Sequence, residues 1–249
     1  MSPNPSNAEV VSFGHNLTAT THVLEKYQAS VGGQVLAFGA TEDLSIGTST
    51  WLLLDYEMYN AYARYRITKT EDYSQSIQFG YFQTDPASLR YNMKAAWLNW
   101  MHGWHSASGY NFFLNFQVHY YIDEVKPFSM RRPRVWRDPT ELVLSTLHEV
   151  PLANGFYLMG ELGILGLARK HPILHTGSSL QWRSESWLVQ MGYSMTAAFY
   201  ALATPSQRRD LHQTLGLSNG ENHGLGESFS NTIKRDFSIH PELVLQYFF

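Results

Sequence analysis

Charged side chains are scarce in this 249-residue chain: Asp, Glu, Lys and Arg make up 16% of it, against about 25% in ordinary water-facing domains. That scarcity excludes a conventional hydrated surface over the whole molecule. The formal net charge of -3 excludes a grip on nucleic acid through an overall positive field. Cysteine is absent, which removes disulfides, thiolate nucleophiles and cysteine metal sites and is compatible with an oxidising compartment. No apolar run approaches the roughly 18 residues that a membrane helix requires, so crossing by helices is excluded. Residues 1–7 carry none of the basic, apolar and small-residue succession of a secretory signal. Given the strands described next, we expect a chain whose signal has been removed and to which Met1 has been added.

What the chain has is apolar and aromatic material, 44% and 14% of its residues, arranged with a period of two. Successive strand residues point to opposite faces, so a wall with unlike sides shows unlike odd and even sets. Over residues 110–121 one set is Tyr110, Phe112, Leu114, Phe116, Val118 and Tyr120, and the other contains Asn111, Asn115, Gln117 and His119. Over 187–201, Trp187, Val189, Met191 and Tyr193 alternate with Leu188, Gln190, Gly192 and Ser194. Segments 59–67, 73–82, 27–38 and 174–183 read similarly, and 44–54, 93–104, 141–150 and 156–167 read as less regular strands. A sandwich in water would set Lys, Glu and Thr against packed aliphatics. Here the second set is mostly Ser, Gly, Asn, Gln and Thr, which suits a wet lumen, and Tyr and Trp sit at strand ends as an interfacial girdle requires.

The fold class expected is all-β: a closed, antiparallel, up-and-down barrel forming a single domain over residues 1–249. Long connections at 123–139 and 203–234 fall on one end, and short links near 41–43, 69–72, 106–109, 151–154 and 184–186 fall on the other. The weak stretch 9–13 supplies a first strand, which makes twelve. The alternative is ten strands with residues 1–26 as a plug or arm.

The last residues, Leu243, Leu245, Tyr247 and Phe249, alternate and finish on Phe. This resembles the C-terminal assembly signal of bacterial outer-membrane β-barrel proteins. The resemblance implies folding by the barrel-assembly machinery, residence in a Gram-negative outer membrane among its lipids, and long loops that are extracellular. The stretch Gly47-Thr48-Ser49-Thr50-Trp51-Leu52, followed by Asp55-Tyr56 and Met58-Tyr59-Asn60, is similar to small barrels of predatory bacteria that assemble into rings, and enters only as an alternative about assembly.

Candidate lumen residues are Arg64, Arg66, Lys94, Glu161, Arg183 and Glu242, of mixed sign. Arg131, Arg132, Arg134 and Arg137 share the loop at 123–139. Arginine's planar fork matches phosphate geometry, so they are candidates for a lipid phosphate such as that of lipopolysaccharide. No catalytic residue, metal or cofactor is proposed: no His-x-Ser occurs, and His102 and His105, three apart, face opposite sides of a strand. The function expected is a small porin-like passage for water and small solutes. The alternative is a closed barrel that binds lipid or its own copies, and a lipid hydrolase is a remoter third reading. A homo-oligomer is expected from one wall rich in aromatics and Met and another exposing Ala29, Gly33, Ala37, Ala61 and Ala63, because close packing drives association in a bilayer.

Overall fold

The structure is a computed structural model that describes residues 12–14, 17–50, 53, 58–84, 94–121, 140–167, 172–198 and 237–249. Alternation gives strands where it was regular. They are β1 (Ala29–Gly32), β2 (Val35–Gly39), β3 (Leu44–Ser49), β4 (Met58–Lys69), β5 (Tyr73–Thr84), β6 (Lys94–His105), β7 (Asn111–Tyr121), β8 (Thr140–Pro151), β9 (Phe156–Leu165), β10 (Ile173–Arg183), β11 (Trp187–Ala198) and β12 (Phe237–Phe248). Each is antiparallel to its neighbours, and β1 pairs with β12 to close a twelve-stranded barrel. The closing pair is short, joining Ser30, Val31 and Gly32 to Phe248, Tyr247 and Gln246 at one end of β12.

The burial pattern is inverted relative to a water-soluble core. Inward positions hold Ser76, Gln78, Asn115, Gln117, Gln181 and Gln190, all buried, while Met191, Leu243 and Tyr59 point outward and are more than half exposed. Ile77, Phe79 and Tyr81 on β5 and Leu114, Phe116 and Val118 on β7 take the outward positions that their alternation required. Two apolar clusters interrupt the polar interior: Phe113, Leu147 and Met159 in one, and Phe13, Leu24, Val35, Tyr62, Leu188 and Phe248 in the other.

Short turns after β2, β4, β6, β8 and β10 share one end of the barrel with the start of β1 and the end of β12. In the β8–β9 turn, Asn154 and Gly155 both take positive φ, 58° and 78°, a conformation that Asn and Gly tolerate. The strand ends that flank 122–139 and 199–236 open at the opposite end, as loop length implied; those two connections lie outside the described residues.

The strand count agrees with expectation, but its membership does not. Of the expected first strand, 9–13, only Ser12 and Phe13 are described, and both are buried inside the barrel. Instead 27–38 divides into β1 and β2 about the two-residue link Gly33-Gln34. Gly32-Gly33 is a turn signal in what read as one continuous strand. The hairpin pairs Ala29 with Phe38 and Ser30 with Ala37, so parity reverses across it. Ala37 therefore points inward and is 3% exposed, while Leu36 and Phe38 face out, contrary to the outward place expected for Ala37.

Candidate functional site: a lumen filled by its own chain

Within the segment from residue 12 to residue 26, the described residues 12–14 and 17–24 lie inside the barrel, and Glu25 and Lys26 are exposed at its end. The segment's larger apolar residues, Phe13, Leu17, Val23 and Leu24, form no regular alternation along it, which leaves it unable to form a wall strand. It enters from Tyr27, whose φ is 68° and whose N–H donates to the Gly39 carbonyl at 2.8 Å. A Cβ on Gly39 would lie 1.9 Å from the Glu25 carbonyl oxygen, so glycine is what lets the two chains pass. Farther in, the segment folds back on itself, with Gly14 bridged to Ala19 and Thr20 N–H donating to Phe13 O at 3.3 Å. Phe13 stacks on Phe248 with ring centres 5.9 Å apart and planes 4° from parallel.

Two wall charges grip this segment. Glu161 on β9, 3% exposed, accepts the N–H groups of Leu17 and Thr18 on one carboxylate oxygen at 2.9 and 2.5 Å, and its other oxygen meets His175 Nε2 on β10 at 2.8 Å. Arg64 on β4 donates through Nη1 to the carbonyls of Thr20 and His22, at 3.1 and 2.9 Å, and through Nε to Gln78 at 2.6 Å. No carboxylate pairs with Arg64 among the described residues. Main-chain carbonyls of the segment therefore solvate a buried guanidinium. Hydrogen bonds to a charged group are worth about 1.5 to 3 kcal/mol each, so these two residues dominate the seat.

A hydrogen-bonded relay ties the segment to the short-turn end. Thr21 Oγ1 lies 2.5 Å from Ser74 Oγ, which meets His105 Nε2 at 2.8 Å; His105 Nδ1 meets Asn111 Oδ1 at 2.9 Å. Asn111 donates to Glu149 at 3.1 Å, and Glu149 pairs with Arg183 at 2.7 Å. Since the Asn111 amide nitrogen donates to the carboxylate, its oxygen is the acceptor of a His105 Nδ1–H. The Arg183 guanidinium also stacks 4.0 Å from the Tyr157 ring.

The expected lumen residues divide accordingly. Arg64, Glu161 and Arg183 line the interior, and Glu242 points in with Gln190 Nε2 3.5 Å from its carboxylate. Arg66 occupies the rim, where it pairs with Asp43 of the β2–β3 turn at 2.9 Å. Lys94 is corrected: it pairs in register with Gln83, alternates with the fully buried Ala95 and so takes an outward position at the end of β6. Arg131, Arg132, Arg134 and Arg137 lie outside the described residues. Leu243, Leu245, Tyr247 and Phe249 face outward, and Trp187 lies 4.7 Å from the Tyr247 ring. Sequence reading missed Asn115, Gln117, Ser74 and Ser76 as segment-binding residues. The available signal was the run of amides on inward positions: an amide both donates and accepts, which suits a wall facing another main chain.

His22 adds a pH dependence. Its side chain keeps a partly open edge, yet it packs against the inner face of the wall, with its ring 5.7 Å edge-on from Phe113 and 6.1 Å from His105. Burial first, then the positive fields of Arg183, His105, Lys69 and Arg64, hold its pKa well below the ordinary 6.5. A released segment returns His22 to its ordinary value, so below about pH 6.5 the released state binds more protons than the seated one and the seat weakens as pH falls. Protease cleavage within residues 12–26 is expected to accelerate between pH 7.5 and 5 in the native chain, and less so in His22→Gln; equal acid sensitivity in both would remove His22 from the account.

Compared with protein-family models, with curated proteins and with solved structures, the chain has no match.

Proposed function

We propose that this chain is an outer-membrane β-barrel whose lumen is held closed by its own residues 12–26. The observation that carries the reading is the set of hydrogen bonds to that segment from β3, β4, β5, β7, β8, β9 and β10. A porin-like passage for water and small solutes then exists only once the segment leaves. Placement in a membrane is supported by the outward band of apolar side chains and by aromatic residues at strand ends, among them Tyr73, Trp104, Trp187 and Tyr247 at the short-turn end and Tyr59, Tyr81 and Tyr120 toward the other. With that placement, folding by the barrel-assembly machinery follows from the outward alternation of the final strand. Contacts with outer-membrane lipids, including lipopolysaccharide at the four loop arginines, belong to the same proposal.

A homo-oligomer keeps a narrower basis than the sequence offered. Ala61 and Ala63 do face outward, where with Leu36, Phe38, Ile46 and Phe79 they line a shallow groove. Gly33 belongs to the β1–β2 link and Ala37 to the interior, so neither contributes an outward step.

Efflux of a small sugar from liposomes tests the closed lumen. Liposomes carrying the intact protein are expected to retain the sugar as well as empty ones at neutral pH, provided that boiling shifts the protein's gel mobility as it does for a folded barrel. Rapid efflux through such protein would make it an open passage and defeat the reading.

A further inference from the structure

We propose that the lumen is a binding site for a polypeptide main chain, of which residues 12–26 are the resident occupant, and that a second peptide can take the same seat. This rests on the closed-lumen reading above and goes beyond it by naming a ligand class. The wall addresses groups that every residue carries. Carbonyls of the segment accept from Gln34 at Gly14 (3.1 Å), Gln117 at Leu17 (2.7 Å), Asn115 at Ala19 (2.7 Å), Ser76 at Thr21 (2.6 Å) and Arg64 at Thr20 and His22. Its N–H groups donate to Glu161 from Leu17 and Thr18, and to Ser45 from Leu24 at 2.8 Å. Among the described residues, side chains of the segment hydrogen-bond the wall at Ser12 and Thr18, both at 3.4 Å, and closely only at Thr21.

A grip of that kind tolerates exchange of side chains and selects by shape at few points. A Cβ on wall Gly163 would come within 2.5 Å of Leu17 Cδ2, and one on Gly103 within 2.8 Å of Thr21 Oγ1. Within the segment Gly14 is required, since its φ is 118° and a Cβ there would meet the Thr18 carbonyl at 2.1 Å. The ligand class is thus a peptide carrying an aromatic at 13, Gly at 14, a chain that fits the wall glycines at 17 and 21 and an aliphatic at 24 for the apolar cluster, with 18–20 open to other small residues.

The test uses the full chain, folded first and then cut at a protease site inserted between Glu25 and Lys26, both exposed, with gel mobility confirming that the barrel persists. Exchange of the cut fragment for fluorescent peptides spanning 8–25 is followed by anisotropy after a mild urea pulse. The native peptide is expected to replace the fragment. A peptide with Thr18→Ala, Ala19→Ser and Thr20→Ala is expected to bind within about tenfold of it, and one with backbone esters in place of the Leu17 and Thr18 N–H groups at least about a hundredfold more weakly. Loss of binding by the substituted peptide, or full binding by the ester peptide, would overturn main-chain recognition. A fragment that stays bound and never exchanges would overturn the second-peptide claim alone. A fragment that departs at once, with no peptide able to bind, would defeat the closed-lumen reading itself.

Discussion

In planar bilayers, the double variant Arg64→Ala with Glu161→Ala is expected to show frequent channel openings where the intact protein stays shut. Arg64 and Glu161 together make four charge-assisted hydrogen bonds to the resident segment. At about 1.5 to 3 kcal/mol each, already net of exchange with water, and even with half of that recovered by rearrangement, the seat loses at least about 3 kcal/mol. Every 1.4 kcal/mol is tenfold in the equilibrium, so the open fraction should rise by about a hundredfold or more. A lumen of twelve strands sits between the filled eight-stranded case and the wide channels of sixteen or more, so openings should be small. Gel mobility must show the variant folded. A folded variant as silent as the intact protein would mean that something other than residues 12–26 closes the lumen.

The second large effect concerns the outer wall. Met191, in mid-strand on β11, is 63% exposed and under the membrane reading faces hydrocarbon. Met191→Arg is then expected to cost about 2 to 4 kcal/mol in refolding into lipid vesicles, while Leu152→Arg in the β8–β9 turn costs about 0 to 1, because the penalty falls away toward the interface. For a barrel in water both changes would stay within about 0.5 kcal/mol, the usual range for exposed sites. Equal, small effects at the two positions would sink the membrane assignment. Arg at Gln190 or Gln117, on inward positions, cannot serve as an inexpensive control. Gln190 is 1% exposed against Gln181, and Gln117 holds the Leu17 carbonyl.

Most of the wall could be read from alternation alone. Strands β4 to β11 lie within a few residues of the segments that the period of two marked out, and Phe116, Met191 and Ala61 face outward as parity demanded. Parity carries no information across an unrecognised turn, which is why the Gly33-Gln34 link misplaced Ala37. At strand ends it depends on one neighbour, which is why Lys94 was set on the wrong side. The charged members of the site, Arg64, Glu161 and Arg183, were legible because a charge on a lumen face stands out. Their function was not. The partner that Arg64 and Glu161 hold, residues 17–22, is bound by them through its main chain, and main-chain groups leave no mark on residue type. Twelve strands and a plug in residues 1–26 are rival expectations, yet the structure has twelve strands with the described residues 12–14 and 17–24 inside them, because the twelfth strand comes from dividing 27–38.

Residues 12–14 and 17–24 sit in the lumen, and the absence of native cysteine makes that placement directly measurable. Thr21 Oγ1 and Ser74 Oγ are 2.5 Å apart, which brings their Cβ atoms within reach of a disulfide. Oxidation of Thr21→Cys with Ser74→Cys in the folded, membrane-reconstituted chain is expected to link the pair almost completely. Thr21→Cys with Gln75→Cys, whose second position is on the outward face, should stay unlinked. Absence of the first link, or equal linking of both pairs, would contradict a lumen filled by its own chain.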